Sequence, residues 1–520
     1  MHHALNIQEI VDLICHHTYR TFRAGTVSID GKSVVSLART CRVLQSPALD
    51  ILWGFQETIV NLLKCMPADL WELVDVGEGI QQMRPRRPIV SADWERPSIY
   101  MHRVKLFFCI GCKTIQLSEA FEALQRCLPG DCIFPNLSTL HWSNSADPLY
   151  IRLFLGPHIG SIAFSVRDDL SHLSFLSTLA QKHPALRDVS IYSDFSSHRQ
   201  TRSISAMLLG LLHVEYINVP SLNLAALKHV GGLPTVKSLA VRNISFPKSF
   251  DQPMFCSLQI LELRRAEIES TTAFINMWSD APLESLRLHF STVPTTGAME
   301  RLFTTLASRC SQASLWSLML DSARLFVRDT DRAEYVYSLS SLFPFFNLTR
   351  VHIQSPVGFD LHDASILDMA RAWPKIEELM LKSACQFSRP RVTLQGLRYL
   401  AQYCPELHSL QMAFDATRTS PWEARGRKRV VQENLEHLEV EYSMISKPLR
   451  VARFISGIFP NLRCIFTDRE HEDNEGEDEI EMHGEAIEFH YYWKEVMELL
   501  PELCEIRKEE RYWALHAEDS

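Results

Sequence analysis

A short phrase of apolar residues returns along most of the chain, and it restricts the fold more than any other feature. Its clearest copy is Leu258-Gln259-Ile260-Leu261-Glu262-Leu263, a Leu-x-x-Leu-x-Leu pattern. The same spacing occurs at Leu137/Leu140/Trp142, Leu186/Val189/Ile191, Leu283/Leu286/Leu288, Leu348/Val351/Ile353 and Leu435/Leu438/Val440, among others. The last copy is a weaker Leu462/Ile465/Thr467. Thirteen copies between Leu137 and Leu462 leave twelve intervals over 325 residues, about 27 residues each, within the range of leucine-rich repeats. Apolar fourth and sixth positions around a mostly polar fifth have the period of a half-buried strand.

Between phrases the period often becomes helical. Met299, Leu302, Phe303, Leu306, Ala307 and Cys310 form one stripe, as do Leu394, Leu397, Leu400, Ala401 and Cys404. Leu449, Ala452, Ile455, Ile458 and Phe459 make a third. A strand with a returning helix cannot bury its apolar face alone, so such units stack side by side. The expected fold class is α/β: an irregular leucine-rich-repeat solenoid with a parallel concave sheet and convex helices. Met101/Val104/Leu106 is expected as its first, edge repeat. The polar residue usual at the ninth position of a unit is mostly missing, with Ala266, Pro356 and Asp415 among its replacements. Variable repeat lengths follow from that loss. A final helix through Tyr492, Val496 and Leu499, with an edge strand at Leu503/Ile506, is expected to cap the array.

Residues 4–53 do not follow the repeat. Leu5, Ile10, Leu13 and Ile14 are spaced for an amphipathic helix. After a polar insert around Arg23–Lys32, residues Val34, Leu37, Ala38, Cys41 and Leu44 are spaced for a second. Ser46-Pro47 reads as an N-cap with proline at the first helical position, opening a third helix through Leu49, Leu52 and Trp53. Three short helices in about 50 residues bury little surface and gain stability by packing on a partner.

The runs Glu9-Ile10-Val11-Asp12-Leu13-Ile14, Ser36-Leu37-Ala38-Arg39-Thr40-Cys41-Arg42 and Ser46-Pro47-Ala48-Leu49-Asp50-Ile51-Leu52-Trp53 resemble the F-box of fungal, basidiomycete-type F-box proteins. Gln8 stands where that family usually has proline, and Leu44 where it has tryptophan. The resemblance implies an F-box over 1–62. By composition 63–98 reads as a stiff, extended connector that Trp71 and Trp94 would pack down. The repeats give a solenoid over 99–511, with an acidic, disordered insertion expected at 468–485. The resemblance also implies the substrate-recognition subunit of an SCF-type cullin–RING ubiquitin ligase, a receptor without catalysis. Leu5, Ile10, Leu37, Leu49, Leu52 and Trp53 would then meet or support the SKP-type adaptor, and through it cullin. The repeats would hold an unknown protein substrate. The alternative is a leucine-rich-repeat scaffold whose divergent F-box serves no ligase.

Other totals narrow the function. A net charge of −9 gives no general attraction to nucleic acid. No run of 18 apolar residues marks a membrane span, and the first residues lack a signal-peptide pattern. Thirteen scattered cysteines fit free thiols in a reducing compartment, so an intracellular place, cytoplasm or nucleus, is expected. Cys109 and Cys112, with Cys127 and Cys132 downstream, have a first spacing that suits zinc, but their places at a strand end and on an apolar helix face fit structural thiols, which are expected. No phosphate loop or nucleophile elbow appears, so neither cofactor nor catalysis is expected. The cluster Arg425–Arg429 and the ten acidic residues of 468–485 read as solvated stretches. The Asn-x-Ser/Thr triplets at Asn136, Asn243 and Asn347 read as incidental. Binding is expected on the strand face pointing away from the core, where Arg242, Glu262, Arg264, Arg287 and His289 occur centrally. Glu378, Lys382, Gln411, His437, Glu439 and Glu441 follow on the same face.

Overall fold

The structure is a computed structural model that describes residues 9–11, 13–14, 20–23, 26–29, 31–77, 79–109, 114–143, 148–194, 197–244, 254–278, 281–322, 333–383, 389–418, 430–467 and 484–516. It divides into two compact units, Met1–Val236 and Lys237–Ser520. Leu5, Cys112, the cluster Arg425–Arg429 and nearly all of the acidic run lie outside the described residues.

In the first unit, the helical residues at 9–11 and 13–14 are followed by an antiparallel pair, Arg20–Arg23 with Thr26–Ile29, which takes in part of the polar insert. Helices Gly31–Ala38 and Arg42–Gly54 come next. Val11, Val34 and Ala48 form a small core, flanked by Leu37, Ala38, Leu44, Ile51 and Leu52. The expected boundary between the last two helices is wrong. Cys41 is extended and caps the longer helix, which takes in Leu44 and carries Pro47 inside it. Pro47 has no N–H to give the carbonyl four residues back, a cost the helix tolerates rather than a start signal.

That helix runs directly into a strand, Phe55–Gln56, which pairs in parallel with Leu106–Cys109. The sheet therefore already begins inside the segment expected as a separate 1–62 head. Thr139–Trp142, Ser161–Ser165, Asp188–Tyr192 and Tyr216–Leu222 continue it in order. Register aligns Phe107, Leu140, Ile162, Val189 and Ile217 in one buried row. The first repeat is thus Val104/Phe107/Cys109, three residues beyond the expected triplet, and Leu106 is exposed.

Residues 63–98 are not an extended path. Trp71–Gly77 and Ile80–Pro85 form an antiparallel hairpin, joined by Ile115–Gln116. Its turn uses Gly77 and Gly79 at positive φ, which other residues rarely adopt. Arg87 then ties the stretch together, donating to Asp93 Oδ1 and Oδ2, both at 2.8 Å, and to Asp69 Oδ2 at 2.8 Å.

Among the described residues of the second unit, nine parallel strands follow one another in the large sheet: Ser238–Ile244, Ile260–Ala266, Ser285–Phe290, Ser317–Ser322, Arg350–Ser355, Glu378–Ser383, Ser409–Gln411, His437–Glu439 and Cys464–Phe466. One residue from each joins a continuous row: Leu239, Leu261, Leu286, Leu318, Val351, Leu379, Leu410, Leu438 and Ile465. All nine are buried. Helices Thr296–Arg309, Leu394–Tyr403 and Pro448–Ile458 return the chain where helical spacing placed them, although Leu449 is exposed. The chain is therefore a mixed α/β, solenoid-like fold with a large parallel sheet.

Two local features depart from expectation. Leu503 and Ile506 do not form an edge strand; they lie in one long helix, Gly484–His516, whose Trp493, Val496, Leu500 and Cys504 are buried. In place of a ladder at the ninth position, asparagines immediately before the first leucine of a phrase bridge to the preceding unit. Asn136 donates to His102 O at 2.7 Å, Asn347 to Ala313 O at 2.8 Å, Asn434 to Pro405 O at 2.8 Å and Asn461 to Glu433 O at 2.9 Å. In every case the acceptor lies two residues before the preceding phrase, so the bridge repeats with the fold.

Candidate interaction surfaces

Three surfaces follow from this architecture. The first is the helical start. Its core takes one face of each helix, while Leu13 (58% exposed), Val35 (45%), Val43 (37%) and Ile14 lie at the surface. Of the residues expected at the adaptor, Ile10, Leu37, Leu49 and Leu52 are half-buried, and Leu37 and Leu52 pack on the small core. Trp53 is stacked on Tyr100, ring centroids 4.4 Å apart and planes at 18°. Arg103 donates to Ser46 O at 3.1 Å and pairs with Asp50, so Ser46, Asp50 and Trp53 all have partners within the chain, although Ser46 and Asp50 stay exposed. Sequence spacing passed over Val35 and Val43 because each stands next to a residue of the apolar stripe, Val34 and Leu44, rather than on it.

A second surface lies on the first unit's sheet, on the face opposite its buried row. Phe55, Phe108, His141 and Tyr192 follow one another with centroid separations of 5.4, 5.3 and 6.3 Å. The strand between His141 and Tyr192 carries Ala163 and Ser165 at that level, which leaves room for the two rings to meet.

The third surface is the corresponding face of the second unit. Glu262 and Arg287 are direct neighbours by register, as are His289 and Asp321. Arg264 Nε lies 2.7 Å from Glu262 Oε1, Arg287 Nη1 lies 4.0 Å from Glu262 Oε2, and Arg287 Nη2 rests on Met319 Sδ at 3.1 Å. His289 and Arg265 are exposed, and Arg242 is half-buried. Further along, Glu378 meets His352 Nε2 at 3.1 Å, and His408 Nε2 and Arg350 Nε at 3.6 and 3.5 Å. Arg350 Nε makes no hydrogen bond, and its guanidinium lies 5.8 Å from the centre of the Trp316 ring. Trp316 and His408 occupy second positions of their phrases, next to the outward set, which is why a reading confined to alternate residues passed over them.

Two residues expected to be open on this face are buried: Gln411, which keeps its register beside Met380 and Glu439, and Glu441. After the strand His437–Glu439 the chain turns with Glu441 at φ 47°, and its carboxylate accepts the Ser383 N–H at 3.0 Å and Gln411 Nε2 at 3.3 Å. Glu441 thus closes backbone groups at the strand ends rather than facing a partner.

Among the described residues, no group of three or more His, Cys, Asp or Glu side chains is placed to hold a metal ion, and no helix is long and apolar enough to cross a membrane. Cys109 and Cys132 are buried thiols and Cys127 is half-buried. No protein-family model matches this chain, and no curated protein matches it.

Proposed function

We propose that the chain is the substrate receptor of an SCF-type cullin–RING ubiquitin ligase, working in the cytoplasm or nucleus. The observation that carries this reading is a minimal helical core with surface-exposed Leu13, Val35 and Val43, directly continuous with a parallel repeat sheet. The helical start would bind a SKP-type adaptor and the repeat face a target protein. Such a receptor does no bond chemistry: it raises the effective concentration of the target beside the ubiquitin-conjugating enzyme. A specific target interface buries about 1,600 Å² in total, well within the reach of several strand faces. Trp53, held against Tyr100, acts in this scheme as a support for its helix rather than as the contact itself.

The second reading is a repeat scaffold outside any ligase. The contacts of Ser46, Asp50 and Trp53 with Arg103 and Tyr100 favour it, because they engage part of that helix face within the chain. Co-purification of the full chain with a SKP-type adaptor separates the two. A stable complex that is lost in Leu13→Asp/Val43→Asp, with the repeat sheet still folded by circular dichroism, is the expected result. Absence of a complex at micromolar concentrations would instead establish the scaffold.

A further inference from the structure

On the second unit's sheet, two guanidinium groups from neighbouring strands share a single carboxylate. Glu262, with 23% of its side chain exposed, lies beneath Arg264 and Arg287, which are 38% and 51% exposed. A guanidinium has five N–H donors in a rigid fork. Glu262 takes one donor from Arg264 and approaches one on Arg287, whose other contact is the weakly accepting Met319 sulfur. The pair is thereby held in place with most of its donors directed elsewhere. Exposed Arg265 follows Arg264, and exposed His289 is the register neighbour of Asp321. Three arginines therefore stand here against the carboxylates of Glu262 and Asp321, a local positive excess on a chain whose net charge is −9.

We propose that Arg264 and Arg287 form a clamp for an acidic, extended segment of a target protein, its Asp or Glu carboxylates taken up by the paired guanidinium forks. Glu262 already shows that the forks accept a carboxylate, and charge-assisted contacts of this kind are the strong ones. Exposed Ile260 and the Met319 thioether border the clamp, so the segment carries apolar residues between its acids. Arg287 is the register partner of Glu262, two residues before Arg264, so the two arginines are diagonal neighbours, about 7–8 Å apart at the backbone. One carboxylate between them reaches both, as that of Glu262 does. A nucleic acid fits less well, because its unbroken phosphate charge would meet repulsion from the rest of the chain. The inference names the target class for the proposed receptor role, but it stands on direct binding and needs no adaptor.

Fluorescence anisotropy with the purified full chain tests it. The probes are one labelled peptide of alternating acidic and aliphatic residues, its Asn/Gln counterpart, and a version with phosphoserine replacing the acids. The acidic peptide is expected to bind and the amide peptide not, with affinity falling as salt rises. R264E/R287E should weaken binding about tenfold or more, and R264K/R287K by several-fold, because lysine keeps the charge and loses the fork. R301E, on the helix Thr296–Arg309, should change nothing. Equal binding by R264E/R287E, equal binding of the amide peptide, or binding of the phosphorylated peptide alone would each overturn the proposal. A failed adaptor co-purification would leave this result untouched.

Discussion

Asp93 and Asp188 are carboxylates withdrawn from water in the first unit, and their surroundings push them in opposite directions. The bidentate Arg87 guanidinium, helped by the Val90 N–H, holds the Asp93 carboxyl below the usual carboxylate range despite burial. Burial pushes Asp188 up, and the hydrogen bond from Ser161 Oγ at 2.9 Å offsets only part of that. A lowered folded pKa means stability that is complete above the ordinary value of about 4 and is lost as pH falls through the lower one. A raised folded pKa means the reverse: a penalty present at neutral pH and relieved on acidification. Asp93→Asn should therefore lower the urea midpoint at pH 7, by an amount that shrinks as pH falls below about 4. Asp188→Asn keeps an acceptor for Ser161 and should raise the midpoint at pH 7, with the gain fading at acid pH. Urea melts at a series of pH values check both, and parallel pH curves for wild type and either variant would contradict the assignment.

At the scale of the repeat unit, the asparagine bridges tie four of the phrases to the one before them. Asn347 is tied on both sides, donating to Ala313 O and accepting from Lys375 Nζ at 2.9 Å. Asn461 has one such bond. With a net worth of about 1 kcal/mol per hydrogen bond, Asn347→Ala should cost about twice what Asn461→Ala does in a denaturant titration. Equal costs would mean that these bridges follow the packing instead of supporting it. The bridges were readable as a recurring Asn-Leu pair, but only once register told which residues are adjacent. The strands themselves were readable because a period of two with 27-residue recurrence admits few alternatives, and the buried rows fall where the leucines were counted. The first repeat was misplaced because Met101/Val104/Leu106 and Val104/Phe107/Cys109 satisfy the same spacing, and only pairing with Thr139–Trp142 decides between them. On the candidate surfaces, outward alternation located Glu262, Arg264, Arg287 and His289. It failed for Glu441, since alternation ends where the chain leaves the strand at a positive φ, and Gln411 keeps its place in the strand but is buried, bonded to the Glu441 carboxylate. Trp53 was legible as an aromatic at a helix end, but its partner Tyr100 lies 47 residues away and no local pattern announces it.

For the molecule as a whole, the row of single residues running through the second unit means that each strand's core contact is with its immediate neighbours. In such an array, stability is approximately a sum of unit and nearest-neighbour contributions. Leu286 is fully buried, and its register partners are Leu261 on one side and Leu318 on the other. Leu286→Ala should cost about 2–5 kcal/mol locally, through lost transfer energy and the cavity left behind. Hydrogen exchange read strand by strand should then show protection falling in Ser285–Phe290, Ile260–Ala266 and Ser317–Ser322. His437–Glu439, five strands beyond in the same order, should keep its wild-type protection. The Glu441 carboxylate offers a second route to the same question, because it connects Ser383 with a segment 58 residues later. Glu441→Gln keeps the shape and weakens the hydrogen bond to the Ser383 N–H, so its effect should centre on Glu378–Ser383 and on Ser409–Gln411, where Gln411 shares that carboxylate. If Leu286→Ala instead lowered protection uniformly across all nine strands, the unit would behave as one cooperative block. A target could then alter distant strands by binding one of them, and the local recognition argued for Arg264 and Arg287 would have to be replaced by a surface that responds throughout.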